Sequence, residues 1–383
     1  MMAIFRMRSA VMEESDMMAG NDRSKCRKSS RENAPNRSKL TGAFLPVECN
    51  ILKMNLPKSL EPSEIEVLND WMPRNQTYLL AVSGGRDSMV LWHLLKRAGY
   101  ENLVVCHVNH LLRGAASDRD EAFVETEAGR REDDFRATRV DIDTKADEEG
   151  ISLELAAREA RYAWFATLAN ELSCPRVILG HHADDQVETV IMNFFRGAGG
   201  RGLSGMTALS ERNENWGKMR LFRPLLGIFR EEIDQYASQN RISFCEDESN
   251  REDFALRNRV RHRLMPELEE VFRRDVRQAV LRGAELARQN ETWIEEEMAT
   301  HDEAVNGATL DVKWLRTLAE PLRNRIILQW FRNRGVKDCG YSEVESVAEI
   351  AMSSGRPAKV NLPGNIFARR REGILFLEEG DSK

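Results

Sequence analysis

Six consecutive residues, Ser83-Gly84-Gly85-Arg86-Asp87-Ser88, bring together the groups needed to hold a polyphosphate. Two glycines open backbone conformations closed to other residues, so successive N–H groups can point into one concavity. Two serine hydroxyls add donors. Asp87 alone would repel phosphate, so its presence calls for a bridging Mg²⁺. Ser, Gly and Asp are also ordinary helix-capping types, which leaves a plain capped helix as the alternative. The flanks favour anion binding. An apolar run, Tyr78-Leu79-Leu80-Ala81-Val82, precedes the six residues, and an amphipathic run from Met89 to Leu95 follows them. Strand, glycine turn and helix in that order add the helix's unpaired N-terminal donors and positive dipole end. The Gly-Lys-Ser/Thr ending of the common NTPase loop is absent.

Further polar constellations lie downstream. His107-Val108-Asn109-His110, with Arg113 close behind, admits three readings: a metal-binding His pair lacking a third ligand, nucleotide or substrate contacts, or satisfied histidines at a strand end. Glu154, Arg158, Arg161 and Tyr162 share one helix face, as an ion-paired stripe or as arginines aimed at phosphate. Gly180-His181-His182-Ala183-Asp184-Asp185-Gln186, with Glu188 and Thr189, carries more acid and imidazole than capping needs. Metal holding, amine recognition and proton transfer are all open to these side chains. Arg196-Gly197-Ala198-Gly199-Gly200-Arg201-Gly202 reads as a flexible cationic loop, either a linker or an anion contact. Arg257 and Arg261, flanking Asn258, are four apart and so share a helix face.

The elements that must position these groups alternate. Strands are expected at 78–82, 103–108, 135–140 and 177–179. Helices are expected at 55–72, 117–131, 153–172 and 184–195. Such alternation implies an α/β fold with a doubly wound, mostly parallel sheet, whose ligands bind at the carboxyl ends of the strands. The Ser83, His107 and His181 segments all fall at such ends. Residues 228–298 are helical in pattern, with a long helix over 273–298. A small α+β domain is expected after about 305, with helices at 319–333 and 341–351 and strands at 359–362 and 373–377.

The boundaries are a disordered extension at 1–50, a catalytic domain at 55–265, a helical linker at 266–304 and the small domain at 305–383. Glu13, Glu14, Asp16, Asp22 and Glu32 argue against a transit peptide in the extension, and Met54 offers a second start. No apolar stretch is long enough for a membrane span. The six cysteines form no C-x-x-C pair, so zinc and iron–sulfur clusters lack support and a reduced, cytoplasmic protein is expected. The net charge of −6 argues against a general nucleic-acid binder. The ten arginines within 251–288, however, read either as an RNA-facing patch or as a solvated helix face.

In order, SGGxDS, HVNHxLR, ExxARxxRY, GHHADDQxET, RGxGxxGL, RPLL, EDxSN and RNxxR are similar to the tRNA(Ile)-lysidine synthases. These belong to the N-type ATP pyrophosphatases, and the similarity covers about 78–266. The resemblance implies an ATP- and Mg²⁺-dependent ligase. It adenylates the C2 oxygen of the wobble cytidine in the CAU anticodon of tRNA(Ile), releasing pyrophosphate. The ε-amine of free lysine then displaces AMP to leave lysidine, which changes the codon read from AUG to AUA and the charging from Met to Ile. It assigns Ser83, Gly84, Gly85, Arg86, Asp87 and Ser88 to ATP, with Asp87 positioning Mg²⁺. His107, Asn109, His110, Arg113, His181, His182, Asp184, Asp185, Glu188 and Arg196 become catalytic or substrate-binding candidates. Arg158, Arg161, Arg257, Asn258 and Arg261 become tRNA or phosphate contacts. A 2-thiocytidine synthase is the nearest enzyme alternative, and a non-catalytic nucleotide- or RNA-binding module the alternative from another class. Subunit number stays open, a homodimer included.

Overall fold

Tyr78–Ala81 (β1) is apolar without a break because protein covers both faces of this strand. Tyr78, Leu80 and Val82 enter one core, and Leu79 enters the opposite one. The computed structural model describes residues 57–214, 217–246, 256–353, 355 and 358–380. The expected extension, most of the EDxSN motif and Arg251 lie outside the described residues.

After β1 the chain runs through α1 (Arg86–Arg97), β2 (Leu103–Asn109), α2 (Ala115–Arg131) and β3 (Asp134–Arg139). Two helices, α3 (Ile142–Glu149) and α4 (Leu153–Glu171), lead to β4 (Arg176–Ile178) and α5 (Ala183–Phe195). A hairpin, β5 (Leu209–Glu214) and β6 (Gly217–Phe222), completes a sheet of order β3-β2-β1-β4-β6-β5. Every neighbouring pair is parallel except β5–β6. The expected mostly parallel, doubly wound sheet is thus present. Strand order reverses at β1, which pairs with β2 on one side and β4 on the other. This is the switch point at which such sheets open a ligand crevice.

One face of the sheet is covered by α1 and by α6 (Arg230–Gln239), where Met89, Leu91, Trp92 and Ile233 are buried. Helix α4 covers the other with Tyr162, Phe165 and Leu168. The β5–β6 hairpin and α3 were not expected. Leu-Ser-Glu-Arg-Asn-Glu in β5 is polar because it forms the sheet's edge, and α3 buries only Ile142 and Ala146.

A helical run from Leu256–Arg259 continues through a π-type turn, Val260–Leu264, into α7 (Met265–Phe272). Pro266, without an N–H to give to residue 262, explains why the helix opens there. Arg273 sits at φ +51° and separates α7 from α8 (Arg277–Ala299), so the long helix starts later than its apolar pattern suggests. A second core follows, built on Leu315, Ile326, Ile327, Trp330, Phe331, Val347 and Leu375. It is formed by β7 (Leu310–Asp311), α9 (Val312–Thr317), α10 (Glu320–Asn333), α11 (Tyr341–Met352), β8 (Lys359–Leu362), β9 (Ile366–Arg371) and β10 (Ile374–Glu379). The four strands make an antiparallel sheet of order β7-β10-β9-β8. Three successive arginines hid β9 from its pattern. Among the described residues no helix is long and apolar enough to cross a membrane.

Candidate active site

The turn after β1 is held open by its own atoms. Gly84 takes φ +89°, a conformation that L side chains rarely adopt. The Gly85 N–H donates to Ser83 Oγ at 3.2 Å, and Ser88 Oγ donates to the Gly85 carbonyl at 2.8 Å. The two hydroxyls lie 3.3 Å apart. From outside the motif, the Cys245 N–H donates to the Gly84 carbonyl at 2.9 Å. Arg86 turns away from the turn: it forms an ion pair with Asp234 of α6 and lies 4.6 Å from the Phe244 ring centroid. It therefore fastens the helix that starts at the loop rather than facing the loop's concavity. Asp87 Oδ1 is buried and has no hydrogen-bond partner. An orphaned acceptor beside an anion-binding turn fits a Mg²⁺ whose other ligands are phosphate and water. No group of three His, Cys, Asp or Glu among the described residues forms a protein-only metal cage.

The loop after β4 touches this turn backbone to backbone. A Cβ built on Gly180 would lie 3.5 Å from both Ser88 Cα and Ser88 N. Two residues on, the His182 ring is buried among three carboxylates. Nε2 lies 3.7 Å from Asp87 Oδ2 and 3.6 Å from Asp185 Oδ2, and Nδ1 lies 3.5 Å from Asp184 Oδ2. Burial opposes its charge, yet the nearby carboxylates of Asp184, Asp185 and Asp87 raise its pKa above the ordinary imidazole value. Asp184 also accepts from the Arg230 N–H at 2.9 Å and from Arg277 Nη1 at 3.0 Å. Against the cost of burial, these partners hold its carboxyl well below the usual range. Asp185 accepts from the His182 N–H at 3.1 Å, so its carboxylate caps the start of α5.

Glu188, 2% exposed at its side chain, binds two guanidiniums: Arg257 Nε at 2.8 Å and Arg261 Nε at 2.6 Å. Burial pushes this carboxyl up while the two arginines oppose the push. Arg261 sits in the π-type turn, a feature frequent at functional sites. Arg257 also reaches Thr189 Oγ1 at 3.1 Å, and Asn258 is half-buried on the same helix.

The remaining candidates divide. His107 is buried with Nδ1 2.9 Å from the Val82 carbonyl. Asn109 is consumed by fold contacts: its amide donates to Glu121 at 2.8 Å and Asp118 at 3.2 Å, and its oxygen accepts from the Leu111 N–H at 3.0 Å. His110 is pushed down to about 4 by burial and by Arg161, and His181 down to about 3 by burial and by Arg223. Each has a buried Nδ1 without a hydrogen-bond partner, as does Arg161 at Nε. His181 thus sets a neutral imidazole near Asp185, and His110 sets a second one near Arg161. Arg158 is exposed, 5.5 Å from the Tyr162 ring centroid, and Arg113 pairs outward with Asp120 at 2.6 Å. Arg196 follows the last residue of α5. At about 1.5 Å per residue the helix carries it about 20 Å from His182. Arg277 and Arg230, which complete the charge balance at Asp184, were not singled out as site residues; neither lies in a motif, and only the fold brings them there.

The family described as PP-loop domain matches residues 58–268, and that described as TilS substrate binding domain matches 310–376. A tRNA(Ile)-lysidine synthase of Geobacter sulfurreducens is 35% identical over 321 residues, covering 79% of this chain and 67% of the relative. One of Chlorobaculum tepidum is 35% identical over 266 residues, covering 67% and 78%. One of Porphyromonas gingivalis is 43% identical over 213 residues, covering 55% and 44%. The chain thus spans less than half the length of some relatives it matches and two thirds or more of others.

Proposed function

Because the chain belongs to the tRNA(Ile)-lysidine synthase family, we propose that it joins free lysine to C2 of the wobble cytidine in the CAU anticodon of tRNA(Ile), consuming ATP. One observation carries the reading: the Ser83–Ser88 turn and the His182–Glu188 cluster meet at the β1/β4 switch point, with Asp87 Oδ1 unpartnered between them. The turn's N–H groups and hydroxyls hold the β and γ phosphates. The cytidine C2 oxygen attacks the α phosphorus, and pyrophosphate leaves. The lysine amine then attacks C2, and AMP leaves with the oxygen. Asp87 would hold Mg²⁺, which when bound neutralises charge on the phosphates.

The protein groups have distinct tasks in this reading. Glu188 presents Arg257 and Arg261 as a fixed pair of cations towards the leaving phosphate. His182 links Asp87 to the start of α5 and keeps the two loops in register. The lysine amine must shed a proton before it attacks. With a reference pKa of about 10.4, that costs about 4–5 kcal/mol at neutral pH. Asp185, less tightly engaged than Asp184, is the carboxylate best placed to hold this amine, and neutral His181 supplies a nearby acceptor. The substrates put the enzyme in the cytoplasm.

The experiment is a comparison of nucleophiles. Purified protein should release AMP and pyrophosphate only with CAU-anticodon tRNA(Ile) and lysine together. Release with sulfide but not lysine would replace the reading by thiolation. Cys106 and Cys174 are buried, Cys245 and Cys339 half-buried, and all four are free of disulfides, so no adjacent thiol pair favours that alternative among the described residues.

A further inference from the structure

We propose that the far end of α5, the glycine loop behind it and the exposed side of α10 form a second RNA-contact surface, beginning about 20 Å along α5 from His182. The partner rests on the tRNA-modifying reading above. Phe194 and Phe195 are 62% and 73% exposed, their rings edge to face at 5.4 Å. Arg196 and Arg201 follow, both exposed and without an acidic partner among the described residues.

The loop that presents them is built, not loose as its glycines suggested. The Ala198 N–H donates to the Asn193 carbonyl at 3.0 Å, and Asn193 Nδ2 donates to the Gly202 carbonyl at 2.8 Å. A Cβ on Gly202 would lie 2.5 Å from that of Ala198, so the tight return requires glycine. Gly200 is seated against Glu291 of α8 so closely that a methyl group there would overlap the carboxylate. Glu291 in turn pairs with Arg325 of α10. Arg332, two turns further along α10, is exposed, and Arg201 and Arg325 act on it as like charges.

Arg201 and Arg325, from two parts of the chain, thus lie close enough to Arg332 to act on its charge, and the acid beside them, Glu291, is already taken by Arg325. Gathering like charge is unfavourable unless an anion shares it. The chain's net charge is −6, so this positive patch is local. Guanidiniums match phosphodiesters, and two exposed phenyl rings offer faces on which unpaired bases stack. A non-helical or loop segment of RNA has both features.

The test measures affinity of the full chain for CAU-anticodon tRNA(Ile) transcript across a salt series. Arg201→Glu with Arg332→Glu should weaken binding roughly tenfold and flatten the salt slope. Phe194→Ser with Phe195→Ser should weaken it about fivefold or more with the slope unchanged. Wild-type affinity in both double variants overturns the surface. So does a phenylalanine variant that converts a dimer to a monomer while tRNA affinity stays as before, which would make this a face between copies. Lysine incorporation by the wild-type chain is scored separately. If it is absent while the variants still bind tRNA less tightly, the lysidine reading fails and the surface stands. If it is present while affinity is unaltered, the surface fails and the lysidine reading stands.

Discussion

Three carboxylates at the switch point are held in three different ways, and each can be tested at the level of one atom. Asp87 keeps an oxygen free of protein partners, whereas Asp184 has none to spare. Asp87→Asn should cost about a hundredfold or more in AMP release while the melting temperature stays near wild type. A fully active variant would remove Asp87 from phosphate or metal binding. Glu188→Gln leaves two guanidiniums without their buried counter-charge, and a loss of about 3 kcal/mol in urea unfolding is expected. An unaltered midpoint would show that the arginines find other partners. Asp184 gives a pH-dependent prediction. Its pKa is depressed by folding, so its contribution is present above the unfolded value of about 3.9 and erodes as pH falls towards the folded one. The stability gap between wild type and Asp184→Asn should accordingly be widest near neutrality and narrow on acidification. A gap that grows in acid contradicts the assignment.

At the scale of elements, strand ends and the helices after them do the positioning, and these were the parts visible in the sequence. Tyr78–Ala81 and Ala183–Phe195 announce themselves because periodicity and capping are local. So does the Ser83 turn, where a positive φ demands glycine. Gly84→Ala should destabilise by about 1–3 kcal/mol and weaken ATP binding, since the added Cβ would also sit 3.3 Å from Val124 Cγ2. Retention of wild-type nucleotide affinity would mean that the turn tolerates another shape. Partners chosen by tertiary folding were not visible. Arg86 lies inside the most informative motif, but its partner Asp234 is 148 residues away, and no local pattern relates them. The polar edge strands β3 and β5 gave weak or no signal for a related reason: half of what makes them strands is the neighbour to which they bond.

At the scale of the whole molecule, α8 joins the two cores, and its first residue does more than begin a helix. Arg277 holds Asp184 and Glu231, and its guanidinium lies 4.8 Å from the Phe229 ring centroid. The last turn of α8 packs Met298 against the second core. Arg277→Ala should cost about 1–2 kcal/mol, discounted for the partial exposure of the guanidinium, and should speed limited proteolysis near 273–277. Equal cleavage rates would show that the helix is anchored by its apolar side alone. The backbone contact between Gly180 and Ser88 has a different reach. With no side chain between them, the spacing of the Ser83 turn and the acidic turn is set by main chain alone, so a change of side chain in either turn leaves that spacing in place, whereas any residue but glycine at position 180 presses on it.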